Sequence, residues 1–310
     1  VTPVLLALLA AAEPGIYSCT PPDTTSREAD AAVRTRLPVL CYHGIGEGGG
    51  LSVSPARFRA DLEALCARGF FLVTADDLLE GLERVPSDRS PVMITFDDGW
   101  QGQFNMLTGP DGSATLDPLC AVGLMEDFCG EHPEFGRGAT FFISWDKVPF
   151  GQQDLLEEKL NFLLDNGYCI GNHSRRHQSL MGLDPDLWEQ SMTGALERFE
   201  PLLGIRTCRI STAAWPGGRI PEGEWASSRL ASMEWNGHPA ARLGFVVDGA
   251  LAEIGGLDDP HSAMRLGRID MGLYSVTRLM AHSGVSRGAA LREDLHDPMP
   301  WRIDPPGPPY

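Results

Sequence analysis

The sequence predicts an α/β fold with a mostly parallel sheet. Two observations carry this. Short apolar runs alternate with longer segments of helical periodicity, and those segments are punctuated by N-cap residues and glycine stops. The 310-residue chain can also bury a large core, and its 43% hydrophobic and 22% charged residues are those of a folded globular protein.

The elements follow in order. Pro38–Tyr42 (PVLCY) reads as a buried strand. Ser54–Gly69 reads as a helix, with Ser54 as N-cap, Pro55 at the first position and Gly69 as stop. Phe70–Val73 is strand-like, and Thr74–Arg84 is a capped helix. Pro91–Phe96 and Ala139–Ser144 are strands. Asp154–Gly167 is amphipathic with a glycine stop, and Tyr168–Asn172 follows it as a strand. Asp184–Gly204 is a long helix, and Leu243–Asp248 and Leu266–Met271 are late short strands. The alternation does not separate an open sheet from a barrel. Gln101–Arg137, rich in Gly, Asp and Pro, reads as an insertion or lid on the catalytic face. The expected organisation is an N-terminal segment and tether (residues 1–36), one domain (37–282) and a proline-rich tail (283–310).

The formal net charge is −17, from 25 Lys and Arg against 42 Asp and Glu. So acidic a chain argues against nucleic acid or an anionic membrane surface as its main partner. Val4–Ala12 is too short to span a bilayer but suits the apolar part of a signal peptide, with Ala10–Ala12 as a cleavage site. Ile16–Cys19 (IYSC) resembles a lipoprotein box, which would tether the protein through a lipidated Cys19. No Lys or Arg precedes the apolar run, and Glu13 interrupts the approach to Cys19. The expectation is an extracytoplasmic protein, secreted or lipid-anchored. None of the seven cysteines forms a CxxC pair, which argues against a zinc ribbon. Cys120 and Cys129 are the expected disulfide in an oxidising compartment, and Cys41 and Cys169 are expected to be buried thiols.

The chemistry starts at Thr95–Gly99 (TFDDG). Adjacent residues at a strand end point to opposite faces, so Asp97 and Asp98 should have different partners. His173 and His177, in NHSRRH, are four apart and would share a face on one helical turn. Two imidazoles and one carboxylate can hold a metal and leave positions open. Taken alone, the histidine pair could equally be two surface residues.

TFDDG, then Ala139–Phe142 (ATFF), then Asn172–His177 together resemble the polysaccharide deacetylases, the NodB-homology group or carbohydrate esterase family four. The resemblance runs from about Leu37 to Met271. It implies a distorted, incomplete (β/α) barrel and one divalent metal ion, zinc by default and otherwise cobalt, nickel, iron or manganese. It also implies an N-acetylated glycan substrate. Asp98, His173 and His177 would bind the metal, and Asp97 would be the general base toward a metal-bound water. Ser174 would orient an imidazole or the loop backbone. The third family motif, Arg-x-Pro-aromatic-Gly, corresponds to Ala214–Gly218 (AWPGG), where the arginine and the aromatic are absent. The backbone N–H of Gly217 would still serve as oxyanion donor.

His282, in RLMAHSG, is one candidate for the usual C-terminal histidine, but its surroundings read better as a helix. Pro38–Gly46 (PVLCYHGIG) instead resembles the first strand of circularly permuted family members, which makes His43 the general acid. From its position, Arg268 is the expected substitute for the missing arginine. Trp100 and Trp215 flank catalytic positions and are expected to line a sugar groove, with Trp145 a weaker candidate. The predicted activity is metal-dependent N-deacetylation of a polysaccharide or amino-sugar oligomer. The alternatives are a non-catalytic glycan-binding relative, or a hydrolase of O-acetyl esters or small cyclic amides.

Overall fold

The computed structural model describes residues 36–47 and 50–283. Expectations for Val4–Ala12, Cys19 and the tail beyond 283 lie outside these residues, as does the side chain of His282.

Eight strands form one parallel sheet: β1 (Val39–Tyr42), β2 (Phe70–Val73), β3 (Ser90–Asp97), β4 (Thr140–Ile143), β5 (Cys169–Asn172), β6 (Thr212–Ala214), β7 (Leu243–Phe245) and β8 (Ile269–Asp270). Their spatial order is β7-β6-β5-β4-β3-β1-β8. The long β3 pairs with β2 along its first half and with β4 along its second. Every pairing is parallel, as the alternation of elements requires. The sheet curls into a distorted barrel. Leu266 donates its N–H to Gly244 and accepts from Val246 at 2.9 Å each, while Ile269–Asp270 pairs with Leu40–Cys41. One short segment thus joins both ends of the sheet.

The sheet's residues are buried almost throughout, as in a layer covered on both faces. Phe96 of β3 and Phe141 of β4 stack with centroids 4.9 Å apart. Around the sheet lie α1 (Pro55–Cys66), α2 (Ala75–Leu79), α3 (Ala121–Glu131), α4 (Leu156–Asp165), α5 (Pro185–Leu203), α6 (Glu224–Ala231) and α7 (Val276–Ser283). Ser54 caps α1 as predicted, accepting from Arg57 N–H at 3.2 Å. Thr74 and Asp77 form a capping box on α2. That helix stops at Leu79, short of the predicted Arg84, because Gly81 and Leu82 both take left-handed backbone. Among the described residues, no helix is long and apolar enough to cross a membrane.

Two expectations change here. Gln101–Arg137 is not simply a lid: α3 buries Val122, Met125 and Phe128 in the core and packs on α1. Cys120 and Cys129 are free thiols. Cys120 caps α3 and Cys129 sits nine residues along it, a rise of about 13 Å. A disulfide requires Cα atoms within about 7 Å. Cys41 and Cys169 are buried free thiols, as expected.

Candidate active site

The site forms at the carboxyl ends of the strands. β1 and β3 run side by side in register, with Tyr42 opposite Phe96. The next residues, His43 and Asp97, are therefore neighbours. A His43 ring nitrogen, the Cys41 sulfur and an Asp97 carboxylate oxygen all lie within 4.8 Å of one another. His43 Nδ1 is buried without a hydrogen-bond partner among the described residues, and the ring's edge meets Trp100, with centroids 6.4 Å apart.

Asp97 is buried and gripped from one side. Arg268, which immediately precedes β8, donates Nη1 to Asp97 Oδ1 at 2.6 Å and Nη2 to Oδ2 at 2.8 Å. The fully buried guanidinium also reaches Thr95 Oγ1 at 3.2 Å and the Val246 carbonyl at 3.3 Å. Such a fork matches a carboxylate in both geometry and charge. Burial opposes ionisation of Asp97, yet Arg268, with His173 nearby, holds its carboxyl below the usual range. Burial alone would lower the pKa of Arg268, and Asp97 outweighs it and raises it. The Cys41 thiol adds a longer contact to Asp97 Oδ2 at 3.6 Å.

Asp98 leaves the strand in left-handed backbone, φ 75°, and turns the opposite way. Its Oδ1 lies 3.3 Å from His173 Nε2 and 3.1 Å from His177 Nε2. His173 follows the end of β5. Its Nδ1 lies 2.7 Å from the Ala214 carbonyl, which can only accept, so Nδ1 carries a hydrogen and Nε2 is the nitrogen turned toward Asp98. The two histidines do not share a helical turn, as their spacing predicted. They lie on a loop in which Ser174 and His177 are themselves left-handed. Side chains hold this loop: Ser174 Oγ accepts from His177 N–H at 3.1 Å, and Asn172 Oδ1 accepts from Ser174 N–H at 2.8 Å. Asn172 Nδ2 in turn donates to the Met192 carbonyl in α5.

Asp98, His173 and His177 each bring one donor atom within 4.8 Å of the others. Asp98 Oδ1 is buried with no hydrogen-bond partner among the described residues. A buried acceptor facing imidazole nitrogens is costly unless a cation sits among them. This mixed nitrogen and oxygen set fits a divalent transition metal. Burial opposes ionisation of Asp98, and the two imidazoles outweigh it and pull its carboxyl far below the usual range.

The third motif begins at the end of β6. Ala214, small and buried, supplies the carbonyl for His173, and Gly217 follows in left-handed backbone, φ 71°. Trp215 is not a groove wall. It is fully buried, donates Nε1 to the Met264 carbonyl at 2.8 Å, and packs on Gly244. Trp100 is partly exposed beside His43, whereas Trp145 packs edge-on against Phe199. Four residues that sequence reasoning did not assign hold the site together: Cys41, Thr95, Asn172 and Gln103. Cys41, Thr95 and Asn172 lay in the motifs PVLCYHGIG, TFDDG and NHSRRH, whereas Gln103 lay in none.

No protein-family model matches the chain. The Bacillus subtilis (strain 168) protein "Putative polysaccharide deacetylase YxkH" is 24% identical over 269 residues, 86% of this chain and 79% of that one. The Streptococcus pyogenes deacetylase PplD, solved in complex with acetate, superposes with a TM-score of 0.60 at 17% identity, over 80% of this chain and 98% of that one. The "putative polysaccharide deacetylase BA0330" from Bacillus anthracis gives 0.57 at 17% identity, over 80% and 68%. The chain is thus similar in sequence to a putative polysaccharide deacetylase, and it shares its fold with these two solved structures.

Proposed function

We propose that this protein is a metal-dependent deacetylase that hydrolyses N-acetyl groups of a polysaccharide or amino-sugar oligomer. The observation that carries this is the division of labour between adjacent carboxylates: Asp98 faces two imidazoles, and Asp97 is locked in place by Arg268.

Asp98 Oδ1, His173 Nε2 and His177 Nε2 would hold the ion, with zinc expected from the family resemblance. When bound, the ion supplies Lewis acidity that polarises the acetamide carbonyl and acidifies water. Asp97, kept ionised and oriented by Arg268, takes the proton of the attacking water. The Gly217 N–H donates to the oxygen on which negative charge develops. His43 gives a proton to the nitrogen as the C–N bond breaks, leaving a free amine and acetate. Trp100, partly exposed beside His43, offers a face for a sugar ring. Acetate is the molecule named in the Streptococcus pyogenes complex, which supports the reading. With the Val4–Ala12 segment, the same reading assigns the protein to the extracytoplasmic side, where envelope glycans are met.

The test is acetate release from a panel of N- and O-acetylated glycans, measured with metal content per chain, for the wild type and Asp97→Asn. Release that Asp97→Asn abolishes while the metal stays is the expected result. Stoichiometric metal with no release from any glycan would instead make the protein a non-catalytic glycan binder.

A further inference from the structure

Gln103 is fully buried on a short 3-10 turn, Gln101–Gln103, and its side chain faces main-chain groups. Its Nε2 donates to the His43 carbonyl at 2.8 Å and also to the Asp97 carbonyl. A carboxamide nitrogen carries two hydrogens, one for each. The reverse orientation would set its oxygen against two carbonyl oxygens, so these contacts dictate which way the amide faces. We infer that Gln103 is a positioning residue that fixes the separation of His43 and Asp97, the proton donor and acceptor of the proposed deacetylation.

The need for such a brace follows from the sheet. Register pairing between β1 and β3 ends at Tyr42 and Phe96. Past that point the chains part. Asp97 pairs with Phe142 of β4, while Gly44–Ile45 turns to pair with Ser52–Val53. The carbonyls of His43 and Asp97 therefore leave the ladder where the proton-transfer groups must hold their spacing, and Gln103 supplies the missing link between the strands.

The surrounding backbone is built to admit it. A Cβ on Gly102 would lie 1.9 Å from the Ile45 carbonyl oxygen, so only glycine lets the turn lie flush on residues 44–45. A Cβ on Gly44 would lie 2.8 Å from the Trp100 ring, at the start of the same turn. Gln103, Gly102 and Gly44 thus form one device, and it touches the reaction only through His43 and Asp97.

This inference rests on the proposed deacetylation, and the experiment separates the two. Gln103→Met removes both donors and Gln103→Glu at least one, at nearly constant side-chain length. Gly102→Ala keeps Gln103 but displaces its turn. With a glycan the wild type deacetylates, each variant should lose about 10- to 100-fold in kcat, with KM within about threefold of wild type and full metal content. A merely structural role would lower the folded, metal-loaded fraction and leave kcat per loaded site unchanged, and that result overturns the inference. So does a kcat within threefold of wild type in the folded variants. If the wild type releases no acetate, the functional reading fails and crystal structures of the folded variants decide. An unchanged His43–Asp97 separation then overturns the brace, and a widened one supports it. If neither Gln103 variant folds, Gly102→Ala decides by the same criteria.

Discussion

The two halves of the site are held by opposite means. His43, Asp97 and Arg268 stand at or beside strand ends, and none of them takes left-handed backbone. Asp98, Ser174 and His177 stand on turns in left-handed backbone, and they are three of the six such non-glycine residues among those described. Such conformations cost about 1–3 kcal/mol each and persist only where the surroundings over-determine them. In the metal half, the Asn172 and Ser174 side chains do so. The proposed proton-transfer half needs no strain, because strand register already places its residues. It needs instead a buried counter-charge and a brace across diverging strands. The lesson is that the end of one central strand can present two adjacent carboxylates to different partners, if one stays in the strand and the other leaves it by a turn.

The largest effect that can break this contrast is the loss of either carboxylate. Asp98→Ala is expected to abolish both metal retention and acetate release. Asp97→Asn should keep one metal per chain while kcat falls about 10²- to 10⁴-fold. Metal analysis of both variants checks this, and equal metal loss in the two would erase the distinction.

Arg268→Met comes next. It leaves the Asp97 carboxylate buried and unpaired, which should cost about 3–5 kcal/mol in urea unfolding. The pH dependence carries a sign. Asp97 has its native pKa lowered from an unfolded value of about 3.9, so its stabilisation is present above that pH and is lost as pH falls through the native pKa. Without Arg268, burial is left as the dominant influence and raises the native pKa. The carboxyl then takes up a proton on folding, and acidification favours the variant. The stability gap between wild type and Arg268→Met should therefore narrow as pH falls from 7 to 4. A gap that widens would contradict the pairing.

Ser174→Ala sharpens the metal half. It removes the acceptor for the His177 N–H, and metal affinity should fall about 10-fold, as read by competition with a chelator. The smallest effects distinguish the two tryptophans. Trp215→Phe loses one buried hydrogen bond to Met264, about 1 kcal/mol of stability, and should leave KM unchanged. Trp100→Ala should raise KM severalfold at little cost in stability.

Much of the fold was legible because its signals are local. β2 matches its predicted bounds, and Ser54 and Thr74 cap their helices as read. α3 was missed because Gly123 and Gly130 dilute its helical pattern, and Gly123 is there because a Cβ would meet the Asp117 carbonyl oxygen at 2.1 Å. β6 was missed because Thr212–Ala214 is three small residues before a proline turn. Trp215 was misplaced because adjacency to a motif says nothing of burial. The histidine spacing suited a helix, but Asn172 and Ser174 bind backbone N–H groups and hold the segment as a loop.

By itself the sequence determined the parallel α/β class and singled out Asp97, Asp98, His173 and His177, which the fold brings together. TFDDG and NHSRRH carry their polar groups in neighbouring residues, and that survives without a third dimension. Tertiary structure decided which groups meet. Arg268 reaches Asp97 across 171 positions, His173 leans on the Ala214 carbonyl across 41, and Gln103 binds His43 across 60. Strand order and curl set such contacts, and barrel closure through Leu266–Asp270 brings Arg268 to the carboxylate. No window of sequence contains that closure, because it arises only when both ends of the sheet share one segment.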